Sequence, residues 1–286
     1  SDRQGHGNRK SFIHIYTMKR QFTALLMCLL IISSGMAQTM LPHPWQGRRV
    51  AYLGDSITDP NHKAAKKKYW AFLEEWLGIT PFVYAISGRQ WNDIPRQAEK
   101  LRSEHGDDFD AIIIFIGTND FNAGVPTGTW FTENEENIAT NINEPRATEK
   151  RRKLHPVMAD STYCGRINIA LSTVKRMFPY KQIVVMTPIH RSVYVSKTGK
   201  WQQPDNCCNK NGEYLSAYIE ASKACGNIWS VPVIDLNALC GLNPSLDEHR
   251  QYFKDGGTDL LHPNDRGHER IARTMMYQLL TLPCTF

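Results

Sequence analysis

Ala111-Ile112-Ile113-Ile114-Phe115-Ile116 runs without a polar side chain and is followed at once by Gly117-Thr118-Asn119-Asp120. Such a run cannot face water, so residues 110–116 suit a strand buried on both faces, as in parallel sheets covered by helices. The chain on either side keeps the same rhythm. Residues 49–53, 81–86, 182–186 and 231–236 read as four more strands. Helical spacing fits residues 64–77, where Tyr69, Phe72, Leu73, Trp76 and Leu77 recur on one side and Gly78 offers a stop. Further helices fit residues 93–102, with Asp93 as cap, and residues 168–178, 213–225 and 263–280. Strand and helix in alternation predict an α/β fold: a three-layer, flavodoxin-like sandwich with a central five-stranded parallel sheet covered on both faces.

Ligands on such sheets bind beyond the carboxyl ends of the strands, and three motifs lie there. Gly54-Asp55-Ser56-Ile57-Thr58 follows the first strand, Ile86-Ser87-Gly88-Arg89 the second, and Gly117-Thr118-Asn119-Asp120 the third. Asp259-Leu260-Leu261-His262-Pro263 stands near the other end of the chain. Serine is a poor nucleophile by itself. It needs a base for its proton, and the base needs a partner to fix its tautomer. One short turn can present Asp259 and His262 together to Ser56, making Ser56, Asp259 and His262 the expected catalytic residues. Acyl transfer also places negative charge on a carbonyl oxygen. The backbone amides of Ser56 and Gly88 and the side-chain amide of Asn119 are the expected oxyanion hole. Asp55 and Asp120 read as structural residues that hold their turns.

Ser56, Gly88, Asn119 and His262 match, in order, the signature residues of the SGNH hydrolases, also called the GDSL esterases and lipases. The resemblance spans roughly residues 48–282. It implies a serine esterase or acylhydrolase with Ser56 as nucleophile, His262 as base, Asp259 as its orienting acid, and an oxyanion hole from Ser56, Gly88 and Asn119. Some members of that family place an asparagine shortly before the glycine of the second block. Here that stretch reads Tyr84-Ala85-Ile86-Ser87.

Other features bound the function. Residues 18–37 have the layout of a secretory signal peptide: Lys19-Arg20, an apolar core too short for a membrane span, then small residues up to Ala37. Residues 1–17 read as upstream or vector-derived sequence, and residues 38–286 as a single hydrolase domain. The expected location is secreted or periplasmic, with no stable membrane insertion once the leader is removed. Residues 1–37 hold five of the 34 Lys and Arg and one of the 28 acids, leaving a net +2. That balance gives no reason to expect nucleic acid. There is no Gly-x-Ser-x-Gly, which disfavours the nucleophile-elbow hydrolases, and no glycine-rich phosphate loop. The chemistry needs neither cofactor nor metal. Cys28 falls within the expected leader, and the other six of the seven cysteines read as structural, in a compartment that permits disulfides. Three long connections, residues 121–166, 189–211 and 237–258, are expected near the site. Trp91, His190 and Trp201 are candidate substrate-binding residues, because aromatic rings stack on sugars and His190 follows a strand end facing the crevice. The expected partner is a small-molecule or polysaccharide ester, with short acetyl groups on carbohydrate foremost. Lysophospholipase or thioesterase activity is the enzymatic alternative, and a non-catalytic exported glycan-binding protein the alternative from another class. The sequence leaves the oligomeric state and the role of residues 121–166 open.

Overall fold

The computed structural model describes residues 43–284 and 286. The expected leader, the segment before it and the expected domain start at residue 38 lie outside the described residues.

Five parallel strands make the central sheet: β1 (Arg49–Gly54), β2 (Thr80–Val83), β3 (Ala111–Phe115), β6 (Gln182–Met186) and β9 (Val233–Ile234), in the order β2-β1-β3-β6-β9. The apolar runs pair in register, Ala51 with Ile112 and Ile112 with Ile183. Side chains alternate between the faces. Ala51, Leu53, Ile112, Ile114 and Val185 pack against α2 (Ile94–His105), α4 (Tyr163–Met177) and α5 (Leu215–Trp229). Val50, Tyr52, Ile113, Phe115 and Val184 meet α1 (Tyr69–Leu77) and α7 (Asp265–Thr281) on the other face. Each large side chain buried this way stabilises the fold by about 1.5–3 kcal/mol. The three-layer sandwich is the architecture that the apolar periodicity predicts.

Several boundaries differ for physical reasons. The first helix starts at Tyr69 rather than at residue 64, because Asp265 Oδ1 accepts the backbone N–H groups of Lys66 and Lys67 and holds that segment as a loop. The fifth strand shrinks to Val233–Ile234. It lies at the sheet edge, Pro232 has no N–H to give, and Asp235 turns to cap α6 (Leu236–Leu239). Asp93 precedes α2, but its carboxylate binds the Arg96 and Gln97 side chains rather than capping backbone amides.

A short helix, α3 (Thr118–Ala123), leads into residues 121–166, which then extend a two-stranded ribbon, β4 (Phe131–Ala139) against β5 (Thr148–Pro156). Both strands are largely exposed and carry no apolar alternation. Cross-strand ion pairs such as Glu133–Arg152 and Glu136–Lys153 run along them instead. A second small sheet joins β10 (Phe253–Asp255), β11 (Asp259–Pro263), β7 (Tyr194–Val195) and β8 (Trp201–Gln202). It binds two of the long connections to the strand that carries Asp259 and His262.

Candidate active site

The sheet order sets β1 between β2 and β3. The turns after these three parallel strands therefore emerge side by side at one edge, carrying Ser56, Gly88 and Asn119. Gly54 closes β1 against its neighbour so tightly that a Cβ would lie 2.4 Å from the Phe115 carbonyl oxygen. Gln97 clamps the same glycine, accepting its N–H at 2.8 Å and donating to its carbonyl at 3.0 Å. Asp55 takes the Ile57 amide on its side chain, while its carbonyl accepts from Thr58 and Asp59. Ser56 is thus presented on a rigid one-turn elbow.

Asp259, Leu260, Leu261 and His262 arrive on β11. A flat strand would point residues three apart to opposite faces. Here the Asp259 carboxylate accepts the backbone amides of Leu261 and His262 and curls the segment so that both side chains turn inward. His262 Nδ1 then stands 2.9 Å from Asp259 Oδ1, and His262 Nε2 stands 3.0 Å from Ser56 Oγ. All three groups are buried. With Nδ1–H donated to the carboxylate, Nε2 is left free to accept the serine proton. Burial would raise the Asp259 carboxyl. The His262 hydrogen bond and charge, with the two backbone amides, outweigh it and hold the group below its ordinary range.

Asn119 ties the first three blocks together. Its Nδ2 donates to the Arg89 carbonyl at 3.0 Å and stands 3.4 Å from Asp55 Oδ2. Gly88 lies exposed on the second turn with a φ of 79°, a left-handed conformation that glycine adopts without strain. The preceding Ser87 is pinned by Asp59 Oδ2, which accepts both its N–H and its hydroxyl. Asp120 is fully buried and accepts from the Trp91 amide and from Arg166.

The three candidate substrate-binding residues part company. Trp91 is 0% exposed, with its indole N–H on Tyr163 Oη at 3.1 Å. It is a core residue with no surface to offer a substrate, and the expectation for it is corrected. His190 pairs with Asp205 at 2.6 Å beside a cavity of about 350 Å³ that Asn206 and Asn237 also line. Trp201 is 56% exposed on β8. Among the other neighbours of the site, Tyr194 and Arg191 fall in a long connection expected near it, whereas His62 was not read from the sequence. The His62 ring lies over His262 with centroids 4.2 Å apart, and Tyr194 meets His262 edge-on at 5.4 Å. Arg191 is fully buried and donates to Thr118 Oγ1 at 3.0 Å, next to Asn119. Gln97 carried a usable signal, a polar residue on the buried face that Ile94, Ala98 and Leu101 define.

Burial pushes Asp55 up to about 7 against the Ile57 amide, with the Asp120 charge acting in the same upward direction. The folded protein therefore binds a proton that the unfolded chain releases at its ordinary value of 3.8. Stability from this group is present below that value and is lost as pH rises through about 7, at up to about 1.4 kcal/mol per pH unit in between. Asp55→Asn keeps an acceptor for Ile57 and cannot ionise. Its urea-denaturation stability relative to wild type is expected to rise steadily from about pH 4 to about pH 7. A difference that stays constant across that range removes the buried-proton account.

Among the described residues, no group of three or more His, Cys, Asp or Glu is placed to hold a metal, and no helix is long and apolar enough to cross a membrane. Cys164, Cys207, Cys208, Cys225, Cys240 and Cys284 are free thiols.

A doubly covered parallel sheet, with a hydroxyl, an imidazole and a carboxylate in hydrogen-bonded series beyond its strand ends, has the arrangement of α/β hydrolytic enzymes. The profile of the GDSL-like lipase/acylhydrolase family matches residues 52–270, and the chain belongs to that family. It is a carboxylic ester hydrolase of that type. No curated protein matches it. Among solved structures, a protein from Lactobacillus plantarum is similar at 22% identity and a TM-score of 0.63, over 82% of this chain and 97% of that one. A protein described as "a possible lipase" from Chitinophaga pinensis is similar at 21% identity and a TM-score of 0.57, over 81% and 97% of the two chains. At these identities the likeness is one of fold.

Proposed function

We propose that this protein is an exported serine esterase that removes short acyl groups, acetyl foremost, from carbohydrate. The observation that carries the catalytic part is the series Ser56 Oγ, His262 Nε2, His262 Nδ1 and Asp259 Oδ1, with separations of 3.0 and 2.9 Å. Ser56 attacks the ester carbonyl as His262 takes its proton, and Asp259 stabilises the imidazolium that forms. The oxyanion is received by the amides of Ser56 and Gly88 and by Asn119. The 3.4 Å contact of Asn119 with Asp55 sits at the limit of hydrogen bonding, so that N–H turns readily to a stronger acceptor. His262 returns its proton to the leaving alcohol, and water, activated by the same imidazole, releases the acyl group.

The carbohydrate reading is supported by the surroundings of His262. Tyr194, whose ring meets His262 edge-on at 5.4 Å, offers an aromatic face for a sugar at the site. The cavity next to His62 carries Lys63, Lys66, Asn264, Asp265 and Arg266 on its walls and no Leu, Ile, Val, Met or Phe side chain. The leader layout of residues 18–37 supports export.

A series of 4-nitrophenyl esters from acetyl to octanoyl tests the acyl preference. A dry apolar channel would add about 0.8 kcal/mol per methylene, roughly fourfold in kcat/KM for each. The expected result is the reverse, with acetyl fastest, butyryl slower and octanoyl poor. Rates that climb with chain length would replace this reading with the lysophospholipase or thioesterase one.

A further inference from the structure

Next to His62, whose ring lies over His262, is a cavity of about 850 Å³. Its walls are His62, Lys63 and Lys66 from the loop after β1, and Asn264, Asp265 and Arg266 from the start of α7. His62 joins it to the reacting groups, because the same ring that lines the cavity lies over the His262 imidazole. The side of the site is also defined. In the mechanism above the oxyanion faces Gly88 and Asn119, while the leaving oxygen must face His262 Nε2. The cavity lies past the His62 ring, on the side of the alcohol half of the ester.

The charge of the cavity is one-sided. Its single acid, Asp265, has an oxygen turned to the backbone amides of Lys66 and Lys67. Lys67 is paired with Glu75 and Arg273 with Glu269, whereas Lys63, Lys66 and Arg266 have no carboxylate partner among the described residues. The neighbouring Lys68 is buried with no hydrogen-bond partner for its Nζ among the described residues, and the Asp59, Asp265 and Asp55 carboxylates offset its charge. The amino end of the 17-residue α7 points its positive dipole end the same way. Unpaired cations around a concave wall, with a helix dipole behind them, favour an anion.

We infer that this cavity is a subsite for an anionic group, carboxylate or phosphate, carried on the alcohol half of the ester. The inference rests on the esterase reading of Ser56 and His262 and specifies which esters that site prefers.

The test is acetate release by the full chain from an O-acetylated oligogalacturonide and from the same oligosaccharide with its carboxylates methyl-esterified. The expected preference for the anionic form is about tenfold in kcat/KM, shrinking as salt screens the cations. It is expected to collapse in the double variant Lys63→Glu, Lys66→Glu. Both side chains are exposed, and the pair Lys63→Gln, Lys66→Gln repeats the test without charge reversal. A second arm compares lysophosphatidylglycerol with a monoacylglycerol. A preference found there, and lost in the same variants, supports the subsite and assigns its anion to phosphate. Equal rates within both pairs, or a preference that survives both double variants, overturn the anionic subsite and leave the esterase reading standing. No acyl release from any substrate, together with no reaction of Ser56 with a fluorophosphonate, overturns both.

Discussion

Ser56→Ala is expected to lower ester hydrolysis by about three decades or more while the protein stays folded. Covalent attack is lost, but the oxyanion donors and binding surfaces remain and leave a residual rate above that of water. The fold should tolerate the change, because the elbow is held by other groups. Gln97 clamps Gly54, and Asp55 accepts the Ile57 amide. The one side-chain contact removed is that of Ser56 Oγ with His262 Nε2. Circular dichroism and the denaturation midpoint check the fold, and turnover of 4-nitrophenyl acetate checks the chemistry. Near-wild-type turnover by the folded variant would end the nucleophile assignment.

Asn119→Ala is expected to reduce kcat by about 10²-fold to 10³-fold, with a much smaller change in KM, because a preorganised donor matters most once charge has developed. The side chain also joins two turns through the Arg89 carbonyl and Asp55, so Asn119→Asp is a useful companion. It retains the size but replaces the donor with an acceptor, and a carboxylate there repels the oxyanion. Both variants should lose kcat. If only KM rises in the alanine variant, Asn119 positions substrate and the oxyanion is stabilised elsewhere. If activity falls only in step with thermal stability, the residue is a strut between the turns.

Much of the fold was legible because its strands are buried on both faces. Residues 182–186 read as a strand and are one, since every side chain in them is buried. The ribbon of β4 and β5 was invisible for the opposite reason. Its strands are solvated and held by pairing to each other, so Glu133-Asn134-Glu135-Glu136 and Lys150-Arg151-Arg152-Lys153 look like ordinary surface. Trp91 was misread because a tryptophan outside any periodic segment gives no sign of its burial. Tyr163, 72 residues further on, supplies the partner that makes it core.

By itself the sequence determined the layered parallel sheet, through its alternating apolar periods, and it singled out Ser56, Gly88 and Asn119 after strands, with Asp259 and His262 three residues apart near the far end, as the groups to look for. Tertiary structure alone decided how those groups meet. Ser56 and His262 are 206 positions apart, and the 3.0 Å between them depends on the curl of β11 and on the clamp of Gln97 on Gly54. It also decided what surrounds them, the His62 ring over the imidazole and the basic cavity beyond it. The physical reason is range. Periodicity and turn chemistry act over a few residues and are written locally, whereas a contact between distant side chains exists only once the whole core has packed.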